Sequence, residues 1–393
     1  MRASLLLAVL PSVLSAPAKR SEPAPILSRG ENAALVANKY IVKFKDSVTS
    51  PSVDSVLSTI SASADHVFEH VFKGFAGELT SEALETLRNH PDVDYIEPDT
   101  VVTVDGFVSQ ENATWGLDRI SHREHNNSTT YVYEYDETAG SGTCAYVIDT
   151  GIDVNHPEFE GRATWLVNFG DDEDTDGYGH GTHVAGTIGS KSYGVAKKTS
   201  LFAVKVLDKN GSGTTATMIA GLDFVVSDAP KRDCPNGSVA NMSLRDTPSE
   251  ALNSAAAALV SNNIFLAVSA GNANRDTSSQ SPAAEPTVCT IGATDVNDAR
   301  SVFSNYGPGV DVFAPGTNIL STLPNNATGF NSGTSMATPH AAGLAAYIAG
   351  LEGFPGADAL CTRLKDLATP GILTDIPTNT TNKLIFNGNP SSK

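Results

Sequence analysis

The stretch CAYVIDTGID runs from Cys144 to Asp153. Its first five residues are apolar and rich in branched or aromatic side chains, and the run stops at Asp149, Thr150 and Gly151. A short apolar run closed by turn residues reads as a strand buried on both faces. Three more follow: SLFAVKVL from Ser200, GSVANMSL from Gly237 and NIFLAVSAG from Asn263. Between and after them TTATMIAGLDFVVSD, SEALNSAAAALVSN and SMATPHAAGLAAYIAGL carry helical spacing. Strand and helix in alternation predict an α/β fold, a mostly parallel sheet flanked by helices. Sites in such sheets form beyond the carboxyl ends of the strands, and Asp149 stands at one of them.

Three other segments supply chemistry for that carboxylate. DGYGHGTHVAGTIGS puts His180 after a glycine turn, with Gly181 and Thr182 leading into a helix of small residues. GFNSGTSMATPHAAGLAAYIAG puts Ser335 at the start of another, where unpaired N–H groups and the helix dipole favour developing negative charge. Pro339 is expected in the part of that helix where backbone donors lack partners. Ala341, Ala342, Gly343, Ala345 and Ala346 carry no bulk, so the helix suits burial in the domain centre. A neutral imidazole can take a serine's proton while a buried carboxylate holds its tautomer. Asn272, ending the strand NIFLAVSAG, can donate to an oxyanion beside the Ser335 N–H.

The remaining features bound the class. A chain of 393 residues suits a small domain plus a large one. MRASLLLAVLPSVLSA reads as a secretory signal over residues 1–16, too short in its apolar run to span a bilayer, so a soluble, exported protein is expected. APAKRSEPAP, with Lys19 and Arg20, reads as a processing linker. KYIVKF, PSVDSVLSTISAS, HVFEHVFKGFAGELT, SEALETLRNH and VDYIEPDTVV predict a small α+β sandwich of β-α-β-β-α-β order ending near Thr103. The formal charge of −18 and the lack of a basic cluster exclude nucleic acid and anionic membrane as partners. Four cysteines, Cys144, Cys234, Cys289 and Cys361, imply two disulfides in an exported chain. Sequons stand at Asn112, Asn126, Asn127, Asn236, Asn241, Asn326 and Asn379. His183 lacks the glutamate and spacing of a metal-binding HExxH pair, and the acidic run Asp171 to Asp176 reads as a solvated loop, with calcium binding the lesser alternative.

DTGI, HGTH, SAGN and GTSMATPH, in the order Asp, His, Ser, resemble the subtilisin family of serine proteases, which carries its triad in that order. The resemblance is to its fungal, proteinase K-like branch and extends through WGLDRIS, HPEFEGR, YGVAKKT, VKVLDKNGSG, SPAAEP and FSNYG. It implies a secreted, self-processing endopeptidase with Asp149 orienting, His180 as base and acid, Ser335 as nucleophile and Asn272 as oxyanion donor. It also implies an inhibitory propeptide domain over about 39–104 within a propeptide of 17–107, a cut near Phe107 and Val108, and a peptidase domain over 108–393. Its cleft would be lined by Gly211, Ser212, Gly213, Ser243, Leu244, Arg245, Ser269, Ala270 and Gly271. Disulfides would join Cys144 to Cys234 and Cys289 to Cys361. EPTV and VDVFAPG resemble a structural calcium site using Pro286, Val288 and Asp311, with no cofactor for catalysis. The expected partners are peptide substrates and the chain's own propeptide, and the expected state is a monomer. One departure stands out: the family's Ser-Leu-Gly-Gly reads Ser243, Leu244, Arg245, Asp246 here. The alternative reading is a silent relative whose cleft Arg245 closes and which binds peptides or matrix.

Overall fold

The computed structural model describes residues 22–28, 35–46, 53–60, 64–100, 106–125 and 130–392. They fall into two compact units, Met1–Val104 and Asp105–Lys393. The signal segment, Lys19, Arg20 and the sequons Asn126 and Asn127 lie outside the described residues.

The first unit runs β1 (Leu35–Phe44), α1 (Val53–Ile60), β2 (Ala64–Phe68), β3 (Gly74–Glu78), α2 (Ser81–Arg88) and β4 (Val93–Thr100). The order is the predicted one, with HVFEHVFKGFAGELT divided into the two strands β2 and β3. The strands form an antiparallel sheet in the order β2-β3-β1-β4. Val42, Phe44, Phe75, Val93 and Ile96 make its apolar face, packed on Val56, Leu57, Ala83 and Leu87 of the two helices. Thr80 caps α2 by accepting from the Ala83 N–H.

The second unit opens with β5 (Phe107–Glu111), α3 (Trp115–Ser121), β6 (Val132–Asp136), β7 (Cys144–Asp149), β8 (Ala163–Asn168), α4 (His180–Gly189) and β9 (Ser200–Lys205). It continues with α5 (Thr215–Asp228), β10 (Ser238–Met242), α6 (Glu250–Ser261), β11 (Phe265–Ser269), β12 (Cys289–Thr294) and β13 (Val312–Pro315). Last come β14 (Ile319–Leu323), β15 (Ala327–Asn331), α7 (Thr334–Glu352), α8 (Ala357–Leu367), β16 (Thr369–Pro370) and β17 (Lys383–Leu384). Nine strands form one sheet in the order β16-β17-β13-β12-β11-β10-β7-β9-β8, parallel throughout except for β16. Every residue of β7, β10, β11 and β12 is buried, which is why the first three read as apolar runs. Helices α4 and α7 cover one face and α5 and α6 the other, each face with its own apolar core.

α7 is buried from Thr334 to Ala349 apart from Ser335, as its composition predicts. Glycine is required where α4 crosses it: a Cβ on Gly343 would stand 2.9 Å from Val195 and 3.0 Å from the Ile188 carbonyl. Pro339 corrects the sequence reading. It lies inside α7, beyond the first turn, so its missing N–H leaves the Ser335 carbonyl without its helical donor. The Ser243 hydroxyl supplies the replacement, donating to that carbonyl at 2.9 Å. Disulfides join Cys144 to Cys234, across 90 residues, and Cys289 to Cys361, across 72.

Candidate active site

Asp149 ends β7, and its carboxylate is fully buried. Oδ1 accepts from the Thr150 N–H at 2.7 Å and faces His180 Nδ1 at 2.7 Å. His180 is the first residue of α4, and its side chain keeps 21 % of its surface exposed toward the cleft. Burial lowers the basicity of the imidazole, but the charge and hydrogen bond of Asp149, with the charge of Asp176, outweigh it. The net effect raises the pKa above the ordinary histidine value.

Asp176 was part of the run expected to be a solvated loop, and the structure places it otherwise. It is 5 % exposed and accepts from Thr150 Oγ1 at 2.7 Å, the Gly179 N–H at 2.7 Å, the Thr182 N–H at 2.8 Å and Thr182 Oγ1 at 2.5 Å. The carboxylate therefore caps the N-terminus of α4 and ties it to the residue after Asp149. Asp171, at the other end of the run, pairs with the fully buried Lys205 at 3.3 Å. Lys205 Nζ also donates to the Thr150 carbonyl at 2.9 Å. A cation and an anion thus hold Thr150 from two sides. A sequence dense in acids conceals this, because charge alone does not reveal which carboxylates meet a helix end.

On the far wall, Asn272 follows β11. Its Oδ1 accepts from the Thr334 N–H and from Thr334 Oγ1, both at 2.8 Å. It thereby caps α7, which has no cap from its own Gly333, and the amide orientation leaves Nδ2 as the free donor. A Cβ on Gly333 would stand 3.2 Å from that nitrogen. Ser335 is the second residue of α7, so its N–H has no carbonyl four residues back within the helix. Its hydroxyl donates to the Ser243 carbonyl at 3.1 Å. Among the described residues no hydrogen bond joins it to His180, a loose arrangement common in substrate-free clefts.

His180, Asn272 and Ser335 line one cavity of about 760 Å³. The predicted Gly211, Ser212, Gly213, Ser243, Leu244, Arg245, Ser269 and Gly271 line it too. Ala270 does not: it is fully buried and packs with Val310, Phe313, Leu373 and Leu384 behind the wall. Its neighbour Gly271, at φ +99, takes a conformation that favours glycine, and a Cβ there would overlap Gln280. Thr150, Tyr178, Leu207, Thr214, Thr215, Met218, Asp246 and Thr247 complete the lining and were not foreseen. Tyr178 carried a signal, since it sits one residue from the glycine before His180; its ring lies on Gly211. Arg245 is exposed and lines the cavity without filling it. Asp246 does not neutralise it: Oδ2 accepts from Thr215 Oγ1 at 2.5 Å, and Oδ1 from the Thr247 N–H at 2.7 Å.

Among the sequons, Asn112, Asn326 and Asn379 are exposed in left-handed turns. Asn236 is half-buried and donates to the Ser141 carbonyl at 2.9 Å. Asn241 is a correction: it is 1 % exposed and its amide donates to Ser243 Oγ at 2.9 Å, so this sequon serves packing rather than glycan attachment. At the expected calcium position, Asp311 Oδ1 accepts from Lys365 Nζ at 3.0 Å and Oδ2 from the Thr290 N–H at 2.9 Å. Both oxygens are engaged, and the set does not fit a divalent ion. Among the described residues no helix is long and apolar enough to cross a membrane.

Comparison with known proteins places this geometry. Residues 140–362 match the Subtilase family and residues 39–105 match Peptidase inhibitor I9. The chain is 55% identical to the subtilisin-like serine protease AsES of Sarocladium strictum, over 100% of both chains. It is 54% identical to a cuticle-degrading protease of Metarhizium anisopliae, over 99% of this chain and 100% of that one. It is 50% identical to proteinase R of Parengyodontium album, over 98% and 99%. The crystal structure of a cold adapted subtilisin-like serine proteinase superposes at a TM-score of 0.66 and 42% identity, over 70% of this chain and 98% of that one.

Proposed function

Because this chain belongs to the subtilase family and is a serine endopeptidase preceded by an I9-type inhibitor domain, we propose that Asp149, His180 and Ser335 are its catalytic triad. Ser335 Oγ rotates from the Ser243 carbonyl toward His180 Nε2 and attacks the scissile carbonyl carbon while the imidazole takes its proton. Asp149 holds Nδ1–H and stabilises the imidazolium that forms. The oxyanion receives Asn272 Nδ2 and the Ser335 N–H. His180 returns the proton to the leaving amine, and the acyl-enzyme is hydrolysed by water along the same path. The observation that carries this reading is the 2.7 Å contact of His180 Nδ1 with the buried carboxylate of Asp149, beside a cleft lined by His180, Ser335 and Asn272.

The surrounding steps follow from the order of segments. Residues 1–16 export the chain to a secreted, monomeric life, residues 17–107 form the propeptide, and the enzyme cuts itself near Phe107 and Val108. Substrates are peptides, and the segment 39–105 inhibits until it is removed. Among the described residues, Asn112, Asn326 and Asn379 are the accessible glycan acceptors. The open cavity argues against a cleft closed by Arg245, and the presence of all four proposed groups argues against a silent peptide or matrix binder.

One experiment tests the reading. Wild-type protein treated with a fluorophosphonate should carry the label on Ser335 and start near Val108. Ser335→Ala should stay unlabelled and accumulate as precursor, since loss of the nucleophile costs about six orders of magnitude in kcat. A purified Ser335→Ala precursor that matures without another protease would overturn the assignment.

A further inference from the structure

We propose that Lys365 is the resident cation at Asp311, standing where relatives of this chain are expected to hold calcium. The inference rests on the surroundings of Asp311 and not on the triad. Asp311 precedes β13, and its N–H donates to the Thr290 carbonyl at 2.9 Å while its Oδ2 accepts from the Thr290 N–H. These two bonds lock the carboxylate against β12. Oδ1 is left facing outward, and Lys365 Nζ occupies it at 3.0 Å.

The covalent frame explains how the ammonium reaches that point. Cys361, on α8, is bonded to Cys289, the first residue of β12. Lys365 lies one helical turn further along α8, on the same face. The disulfide therefore delivers the lysine to the carboxylate. Lys383 Nζ donates to the Lys365 carbonyl at 3.0 Å, which ties β17 to this turn of α8.

The ligands that the chain itself offers calcium here are few. The sulfurs of Cys289 and Cys361 lie close to Asp311 but are spent in the disulfide. That leaves one carboxylate and the neutral carbonyls of Pro286 and Val288, a set that water would have to complete to the six to eight oxygens the ion takes, and the Lys365 ammonium stands on its one charged member. Calcium would have to displace the Lys365 ammonium from Asp311. The site is thus closed by a charge built into the chain, and its stability should not depend on the free ion.

The test follows the melting of fluorophosphonate-treated mature protein in millimolar calcium and in chelator, beside calorimetric calcium titration; neither readout needs activity. Wild type and Asp311→Asn should respond to calcium equally, which assigns any response to other positions. Lys365→Ala should melt several degrees lower in chelator, recover in calcium, and lose that recovery in Lys365→Ala/Asp311→Asn. Lys365→Gln repeats the comparison if the alanine variant folds poorly. The proposal is overturned if Asp311→Asn removes a calcium response that wild type shows. It is equally overturned if neither lysine variant acquires one.

Discussion

At the scale of single residues, the four groups proposed to act were legible because each stands in a motif of distinctive neighbours. What the sequence hid was the support beneath them. Asp176 looks like any other member of an acidic loop, yet it accepts four hydrogen bonds and holds both α4 and Thr150. Asp176→Asn removes one of the charges that raise His180, so the acid limb of kcat/KM, expected above the ordinary histidine value of about 6.5 in wild type, should move to lower pH. The cap is weakened as well, and kcat should fall by on the order of tenfold to a hundredfold. A variant that melts earlier but keeps the wild-type pH profile would show that Asp176 only stabilises. Arg245 is the converse case, a residue whose oddity the sequence displays but whose partner it does not. Asp246 is occupied by Thr215 and Thr247, so the guanidinium is available to a substrate carboxylate. Peptide-library profiling should show a preference for an acidic residue that Arg245→Gly loses, by about 1 kcal/mol or fivefold for an exposed pair. Coincident profiles would remove Arg245 from specificity.

Secondary elements were legible where apolar runs were unbroken, which is why β7, β9, β10, β11, α5, α6 and α7 were anticipated. The sheet's far strands β12 and β13, the hairpin β14–β15 and the two-residue strands β16 and β17 were not, since β12 and the hairpin are rich in Gly, Thr and Ser and the others are too short to show a period. The proline in α7 shows how an element can depend on a distant residue: the carbonyl it orphans is recovered by Ser243, itself fixed by Asn241. The pairing of α4 with α7 has a cost that appears in acid. His183, on α4, lies with Nε2 at 3.0 Å from the Ile319 carbonyl, and His340, on α7, with Nδ1 at 2.9 Å from the Met336 carbonyl. Burial pushes each imidazole down to about 4. Both are therefore neutral in the fold and charge more readily in the unfolded chain. Their stabilising effect is complete above the unfolded value of about 6.5 and is lost as pH falls from there toward 4, by up to roughly 3 kcal/mol each. Urea unfolding of the blocked enzyme should show this loss between pH 7 and pH 4, and His340→Gln should flatten the curve. A wild-type curve already flat across that window would contradict it.

For the whole molecule, the division into a small α+β unit and a large α/β unit was readable from the change in pattern alone. The small sandwich was expected to end near Thr103 and the units part at Val104 and Asp105, while the expected cut, at Phe107 and Val108, lies inside β5. Strand β5 pairs with β6 there, Val108 opposite Tyr135, so the composition of a linker that would have marked the border is missing. The two disulfides were paired only through family resemblance, because four cysteines alone permit three pairings. In the loop-entropy account they stabilise the large unit by between about 4 and 5 kcal/mol each. The four groups proposed to act reach one cleft from β7, α4, the end of β11 and α7, in that order along the chain. A ribosome releases them in the same order, after the inhibitor segment and with the serine last. The cutting site is consequently a clock as well as a catalyst: a nascent or prematurely ended chain has a finished restraint before it has anything to restrain, and the cell making it is shielded by the direction of synthesis.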